Sequence, residues 1–226
     1  MHQRKTKNIL VYFFLLLIIS SINSISFKNS KFGEIHNIEV SGLSNHENKS
    51  IVNEIKNIHL GNIFFINEDE IINLINSNSL IENYEVKKNY PGSIEFKLDK
   101  TEFLAKINKY GKTLIIGSNG KLLSNEHKNL SLPFIFGNPN ISEFLSFKKI
   151  LDQSKFSPYE IQNFYFFPSK RWDLKLKNNI LIKLSNRPTL NYLNNLYEFL
   201  ENYSSGKVNV VDARINNQII INEQRY

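Results

Sequence analysis

Hydrophobic and polar positions are distributed in three different ways along this chain. Residues 9–19 form an uninterrupted apolar run, and a serine-rich stretch follows at 20–26. Residues 34–101 combine runs of helical spacing with alternating runs, whereas 102–226 consist mainly of short alternating runs. The pattern predicts a tail at 1–8, an apolar helix at 9–26, a linker at 27–33 and two folded domains at 34–101 and 102–226.

The basic tail and the apolar run together predict that the rest of the chain is exported. Arg4, Lys5 and Lys7 precede the run, and basic residues stay on the cytoplasmic side of a membrane. Everything after Phe27 is therefore expected outside it. The 11-residue run has the length of a secretory signal, and residues 24–26 form a small-x-small cleavage site. An anchor requires a longer helix of roughly 17 residues, and the residues alone leave both interpretations open.

The segment 34–100 predicts the element order β-α-α-β-β. A short strand ends at Gly42, a helix covers 51–58, and a second helix begins after Asn67 with an acidic residue three positions later. Alternating runs at 81–88 and 94–98 flank a Pro-Gly turn. We expect both helices on one face of a three-stranded sheet. The expected core residues are Ile51, Ile55, Leu74, Val86 and Phe96.

The segment 102–226 predicts a mixed β domain of short antiparallel strands with two helices, so the folded part of the chain is α+β. The helices are expected at 142–155, where Asn140 and Glu143 provide a capping signal, and at 189–202. The runs 207–212 and 218–222 predict a hairpin. The other expected strands are 104–107, 113–116, 133–136, 161–167, 172–176 and 180–184.

Composition argues against several kinds of chemistry. The chain has no cysteine, and its five histidines are isolated from one another, so we expect no metal site. It also lacks a Gly-rich phosphate loop and a nucleophile elbow, so we expect no cofactor, no catalytic residue and no small-molecule substrate. The net charge is +7, but the basic residues beyond the tail are scattered. A nucleic-acid-binding face normally concentrates them, so we expect no nucleic-acid partner.

The strand at 218–222 is expected to be an open edge of the β domain. It contains three consecutive isoleucines without a Pro or Lys to blunt them. An uncovered edge exposes unpaired N–H and C=O groups, which is a hazard unless the edge is masked or used for binding. The alternative is a closing strand whose outer edge faces water. Nearby, Asp212 and Arg214 lie on one side of a strand and are placed to pair with each other or with a partner.

Several segments resemble the FtsQ/DivIB family of bacterial cell-division proteins. Residues 35–42 (Ile-His-Asn-Ile-Glu-Val-Ser-Gly) resemble the opening strand of a POTRA domain, and 81–98 resemble its closing hairpin. Residues 114–122 and 132–137 are similar to the start of the family's β domain. Three later segments follow in the family's order, namely 172–176, 181–184 and 211–214.

The resemblance implies a non-enzymatic, single-span protein of the cell inner membrane. Its N-terminal helix would stay attached as an anchor, with the N-terminus cytoplasmic and the C-terminal domain periplasmic at the division septum. The protein would be a divisome scaffold that links early and late components for septal wall synthesis. Its partners would be membrane-anchored division proteins, including the coiled-coil proteins FtsB and FtsL and, through them, the septal peptidoglycan synthase complex.

Two other functions are compatible with parts of the sequence. POTRA units also occur in components of outer-membrane protein assembly and secretion, although residues 102–226 have helices and polar loops rather than long alternating segments. A secreted enzyme is supported only by the cleavage-site pattern.

The resemblance also implies where a partner binds. A partner segment would add a strand to the last strand by β-augmentation, with Arg171 pairing with an acidic residue and Ile215 packing against apolar side chains. Trp172 is the single tryptophan and has two interpretations, core packing or a partner contact. The expected partner-binding residues are Arg171, Trp172, Ile215, Asn217, Gln218, Ile219, Ile220 and Ile221.

Overall fold

The computed structural model describes residues 2–22, 33–58, 60–124, 130–203, 208–215 and 218–223. Its contacts divide the chain into two units, 1–100 and 101–226. The first helix, α1 (His2–Ile22), carries exposed apolar side chains from Ile9 to Ile19. Among the described residues, no helix combines the length and apolar character required to cross a membrane. Residues 23–26 of the expected apolar helix lie outside the described part of the chain.

The first unit has the predicted order β-α-α-β-β. Its elements are β1 (Asn37–Ser41), α2 (Asn45–Asn57), α3 (Glu68–Ser77), β2 (Ile81–Asn89) and β3 (Ser93–Lys100). They form a three-stranded sheet in the order β1-β3-β2. Strand β1 runs parallel to β3, and β2 runs antiparallel to it. The third strand in the chain is therefore the central strand of the sheet.

The core of this unit lies between the sheet and its two helices. Ile51 and Ile55 of α2 are buried against Phe96 of β3, as predicted, and Leu74 is partly buried. The prediction for Val86 was wrong, because this side chain is 41% exposed. Val86 lies opposite Phe96 and on the same sheet face, but β2 is an edge strand and α3 leaves its outer part uncovered.

Gly42 ends β1 for a steric reason. Its φ is +106°, and a Cβ atom built there would lie 1.8 Å from the carbonyl oxygen of Leu98. A residue with a side chain would be strained in this conformation and would also clash with β3. The glycine in the opening motif thus permits the close approach of the two chain segments.

The start of α2 is stabilised by a capping box. The Ser44 side chain accepts a hydrogen bond from the Glu47 N–H, and the Ser44 N–H donates to Glu47 Oε2. The ammonium of Lys100 lies 3.0 Å from Glu47 Oε1. Burial raises the pKa of Glu47, but the hydrogen bonds from Ser44 and the charge of Lys100 outweigh it and lower the pKa from 4.5 to about 2.

Glu47 is therefore expected to make the first unit sensitive to acid. A depressed carboxylate pKa contributes stability that is fully present above the unfolded pKa near 4.5 and is lost as the pH falls towards 2. Replacing Glu47 with Gln should flatten this part of the stability profile, which urea unfolding at a series of pH values would measure. A variant with the same profile as the wild type between pH 4.5 and 2 would contradict the assignment.

The second unit is built on one nine-stranded sheet. Its strands are β4 (Phe103–Lys109), β5 (Lys112–Gly117), β6 (Leu122–Ser124), β7 (Phe134–Phe136), β8 (Ile161–Phe166), β9 (Trp172–Leu176), β10 (Leu181–Lys183), β11 (Val208–Asp212) and β12 (Ile220–Glu223). The helices are α4 (Ile141–Gln153) and α5 (Leu190–Asn202), with a short 3-10 turn at Pro158–Glu160. The strand order is β12-β11-β10-β9-β8-β7-β4-β5-β6.

The expectation of short antiparallel strands was wrong for part of this sheet. Three neighbouring pairs run parallel: β4 with β7, β7 with β8, and β10 with β11. Helix α4 connects β7 to β8, and α5 connects β10 to β11. A crossover helix returns the chain to the same end of the sheet, so the strands that it joins are parallel.

Both helices cover the same face of the nine-stranded sheet. Phe144 and Phe147 of α4 and Leu193 and Leu196 of α5 belong to one buried cluster with the strands. The strand residues in that cluster include one aligned row, Ile107, Ile135, Phe164, Leu174, Ile182 and Val211. Side chains of alternate residues point to the opposite face, and among the described residues no helix packs there.

Candidate partner-binding site

The predicted hairpin places β12 at the edge of the nine-stranded sheet. Strand β12 pairs antiparallel with β11, with Ile220 opposite Asp212 and Ile221 opposite Val211. Within the described ranges no strand pairs with its other side. The strand begins at Ile220 rather than at 218, because the Gln218 N–H donates to the carbonyl oxygen of Ile215 in the preceding turn. Among the described residues the predicted edge is open, and its strand begins two residues later than expected.

The directions of the backbone groups of β12 follow from its neighbours. The Ala213 N–H donates to the Lys183 carbonyl at the end of β10, 2.9 Å away. Backbone groups point to alternate sides along a strand, so those of Asp212 point towards β12. Its partner Ile220 therefore directs its N–H and C=O towards β11. The corresponding groups of Ile221 point away from the sheet and are available to an added strand.

The isoleucines of the edge divide between the two faces. Ile219 packs against the helix-covered core, and Ile221 lies opposite the buried Val211 on that face. Ile220 is 51% exposed on the opposite face, and Ile215 is 59% exposed in the turn. Asn217, which was also predicted to contact a partner, lies outside the described residues. An added strand would thus meet apolar side chains on both faces of the edge.

The turn before β12 is held by Tyr192 of α5. Its hydroxyl donates to the Ala213 carbonyl and accepts from the Ser185 N–H. Beside this contact, a groove of about 480 Å³ lies between α5 and the hairpin, with Ile215, Gln218 and Ile219 on the hairpin side. The sequence pattern had shown Tyr192 only as a helix residue, and no local signal indicated this tertiary contact.

Asp212 and Arg214 form the ion pair that their spacing allowed. The Arg214 Nε and Nη2 atoms donate to the Asp212 carboxylate at 2.8 and 2.6 Å. These hydrogen bonds lower the pKa of Asp212, although partial burial opposes them. The contact is made within the chain, at the end of β11.

Arg171 is also paired within its own chain. Its Nε and Nη2 atoms lie 2.9 and 3.3 Å from the two carboxylate oxygens of Asp173, and its guanidinium lies 4.2 Å above the ring of Phe167. Asp173 is only 3% exposed. Burial raises its pKa, and Arg171 acts in the opposite direction. A guanidinium has five donors, so the pair still permits a second carboxylate on Arg171.

Removing Arg171 alone is therefore expected to destabilise the second unit. Arg171→Ala would leave the buried Asp173 carboxylate with only the Leu184 N–H and the charge of Lys183 to stabilise it, at a cost of about 3 kcal/mol. Asp173→Ala in the same chain removes that poorly compensated charge and should recover much of the loss. Urea unfolding of both single variants and the double variant would measure the coupling. If the two single effects simply add, the pair is not energetically coupled.

Trp172 lies in the core. Its ring stacks on Phe147 of α4 at 5.0 Å with an interplanar angle of 2°, and it contacts Phe166 at 4.7 Å. Trp172 is 4% exposed. Of its two interpretations, core packing is the one that the structure shows. Trp172 therefore supports the sheet from the helix side.

One row of side chains connects the edge with the region of Arg171. It lies on the helix-free face and follows the strand register from β7 to β12 through Phe136, Tyr165, Asp173, Lys183, Asp212 and Ile220. We refer to these six residues as the cross-sheet row. Its first two rings are stacked 5.0 Å apart, and Phe136 is 45% exposed. Neither aromatic residue was predicted to belong to a contact surface, although their alternation in adjacent strands was the available signal.

The predicted site residues therefore fall into two groups. The edge and the turn before it hold Ile215, Gln218, Ile219, Ile220 and Ile221. Arg171 lies just before β9, three strands further in. Three strand spacings correspond to about 14 Å. A single added strand cannot reach both groups, so a partner that contacts both must also extend over the helix-free face. No group of three or more potential metal ligands occurs among the residues that the structure describes.

Comparisons with known proteins agree with this architecture. Residues 34–99 match the family model of the FtsQ-type POTRA domain, and residues 105–214 match that of the C-terminal domain of cell division protein FtsQ/DivIB. Cell division protein DivIB of Clostridium tetani (strain Massachusetts / E88) is 30% identical over 126 residues, which cover 55% of this chain and 47% of that relative. The matched region thus spans about half the length of the curated relative.

A solved structure also resembles the chain. It is the major extracytoplasmic domain of the cell division protein DivIB from Geobacillus stearothermophilus, with 12% identity and a TM-score of 0.34. The alignment covers 47% of this chain and 99% of that domain. At this TM-score the similarity carries no further argument.

The two domain matches define the class of protein, a POTRA domain followed by an FtsQ/DivIB C-terminal domain. The chain belongs to the FtsQ/DivIB family. Members of this family are non-enzymatic cell-division proteins, and membership supports a role in cell division.

Proposed function

We propose that this protein is a divisome scaffold whose C-terminal sheet edge binds another membrane-anchored division protein. The observation that carries the proposal is the open edge of β12, where Ile221 directs its backbone groups away from the sheet. A partner segment adds a strand there, so that main-chain hydrogen bonds provide affinity and alternate side chains set the register. Through such contacts the protein links early and late division components for septal wall synthesis.

The proposed partner contacts the helix-free face as well as the edge. Beyond its added strand it crosses the cross-sheet row towards Arg171, where an acidic side chain pairs with the guanidinium beside Asp173. Lys183 in the same row offers a second cation. Ile215 and Ile220 supply exposed apolar contacts close to the edge. The family resemblance implies partners of the FtsB and FtsL type, which are membrane-anchored coiled-coil proteins, and through them the septal peptidoglycan synthase complex.

We further propose that residues 9–26 anchor the chain in the inner membrane, with residues 1–8 cytoplasmic and the domains 34–101 and 102–226 periplasmic. Support comes from the basic tail and from the exposed apolar side chains of α1. Cell fractionation with tags at both termini tests the topology. The expected result is one membrane-bound species that keeps both tags. A soluble protein whose N-terminus lies near Phe27 would show cleavage instead.

Co-purification tests the binding function. The tagged protein is co-expressed with FtsB- and FtsL-like proteins of the same organism and is expected to co-purify with them. Deletion of residues 218–226 is expected to abolish this co-purification. Circular dichroism of the truncated protein establishes that it is folded. If the folded truncated protein retains the coiled-coil proteins as the full chain does, the partner binds elsewhere.

A further inference from the structure

The three-stranded sheet of the first unit has a second open edge, at β2. This strand is nine residues long, and in the described part of the chain no other strand pairs with its outer side. A groove of about 290 Å³ lies between β2 and α3, lined by Ile71, Ile72, Tyr84 and Val86 among others. Charged residues on this strand, Glu85, Lys87 and Lys88, discourage the addition of a strand that lacks complementary charges, so a partner of this edge has to offset them.

Charges on the helix-free face of this sheet indicate which strand fits. On that face Glu85 lies opposite Lys97 of β3, with 3.7 Å between the carboxylate and the ammonium. Two residues further along, Lys87 lies opposite Glu95. Strand β2 therefore contributes the acidic residue to the first of these cross-strand pairs and the basic residue to the second. Val86 lies between Glu85 and Lys87 in the sequence, and its side chain is on the other face of the sheet. Such a strand is complementary to an antiparallel copy of itself.

We propose that a second copy of this chain pairs antiparallel with β2, with Val86 opposite Val86. Glu85 of each copy then lies opposite Lys87 of the other. Across four strands the charges alternate in the order Lys97, Glu85, Lys87, Glu95, where the last two belong to the second copy. The same row occurs twice because the arrangement has two-fold symmetry. Opposite charges in cross-strand pairs stabilise a sheet.

Other registers lack this complementarity. Centring the pairing on Glu85 or on Lys87 places two like charges directly opposite each other, which is destabilising. A shift by one residue would place the helix-facing side chains of one copy on the same side of the joined sheet as the helix-free face of the other copy. In the proposed register Tyr84 and Val86 of both copies lie on the helix side, where the uncovered groove beside Ile72 accommodates them. The interface involves the first unit alone and does not depend on the proposed function of β12.

Reciprocal charge changes test this interface in the full-length protein. Two differently tagged copies are co-expressed, and their co-purification is measured. Glu85→Lys in both copies, or Lys87→Glu in both copies, should reduce co-purification about tenfold, since each change converts two attractive pairs into repulsive ones. One copy carrying Glu85→Lys with one carrying Lys87→Glu should restore it, because both pairs are again complementary. Restoration also shows that each variant is folded.

The matched control is Glu39→Lys, the same charge change at an exposed position of β1, the far edge strand of this sheet. It should leave co-purification unchanged. Because the chain has no cysteine, single cysteines at 84–88 provide a second measurement, with disulfide-linked dimers expected most strongly for Val86→Cys. Maximal cross-linking at another position, or failure of the mixed charge variants to restore association, would overturn the proposal.

Discussion

Ile55→Asp is expected to unfold the first unit. Ile55 is fully buried between α2 and the sheet, within a cluster that includes Phe96. An aspartate there loses the apolar contacts and places a carboxylate among the apolar side chains of that cluster, at a cost of at least about 4 kcal/mol. A domain of this size has a total stability of roughly 3–10 kcal/mol. The substitution therefore removes a large part or all of the stability of the first unit.

Hydrogen exchange resolved by peptide would measure this effect. Peptides from 34–100 should lose protection, whereas those from 101–223 should keep theirs, because the second unit has a separate core. Asn53→Asp on the exposed face of α2 is the matched control, since it introduces the same carboxylate into water. It should change stability by less than about 0.5 kcal/mol. Full protection of 34–100 in the Ile55→Asp protein would show that the core is assigned incorrectly.

The first unit was predictable because its main signals are local. Isoleucines at helical spacing and the Pro-Gly turn are signals that lie within about ten residues of sequence. Helix α3 begins after Asn67 as predicted, although the Asn67 side chain makes no capping hydrogen bond. Burial is different, because it depends on the order of strands in the sheet. Val86 alternates as a core residue should, yet β2 is an edge strand and the residue is partly exposed. The alternation of apolar and polar residues indicates which face of the sheet a side chain lies on. It does not indicate whether the strand is central or at the edge.

In the second unit, the sequence predicted elements better than their pairing. Strand β9 has the predicted bounds, and the hairpin of β11 and β12 was expected. The three parallel pairs were not, since a strand carries the same alternation whether its neighbour is parallel or antiparallel. The pairing of Arg171 with the buried Asp173 was missed for a related reason. An i, i+2 pair of opposite charges resembles any solvated strand face until burial is known.

The sequence also does not indicate the direction of the backbone hydrogen bonds at the β12 edge. That direction determines which residue tests the interface. Ile219, Ile220 and Ile221 have the same side chain, so composition does not distinguish them. In the structure, Ile220 directs its backbone groups towards β11, and Ile221 directs them outward. A proline at 220 would therefore damage the hairpin itself, whereas a proline at 221 removes a donor that an added strand needs.

Ile221→Pro is accordingly expected to weaken partner binding with little effect on the fold. It removes one outward N–H and leaves a partner carbonyl without its hydrogen bond, which costs about 2 kcal/mol, or roughly thirty-fold in affinity. Binding of the purified protein to an immobilised coiled-coil partner would measure the change. Ile221→Ala is the matched control, because it shortens the same side chain but keeps the N–H. It should bind much more tightly than the proline variant.

Ile220→Pro completes the comparison. This change breaks a hydrogen bond between β11 and β12, so it should lower the unfolding temperature of the second unit, which Ile221→Pro should leave nearly unchanged. The two variants differ by one position and are distinguished only by the direction of their backbone groups. If a folded Ile221→Pro protein binds the partner as tightly as Ile221→Ala, strand addition at β12 is not the mode of binding. The partner would then depend on side chains of the helix-free face.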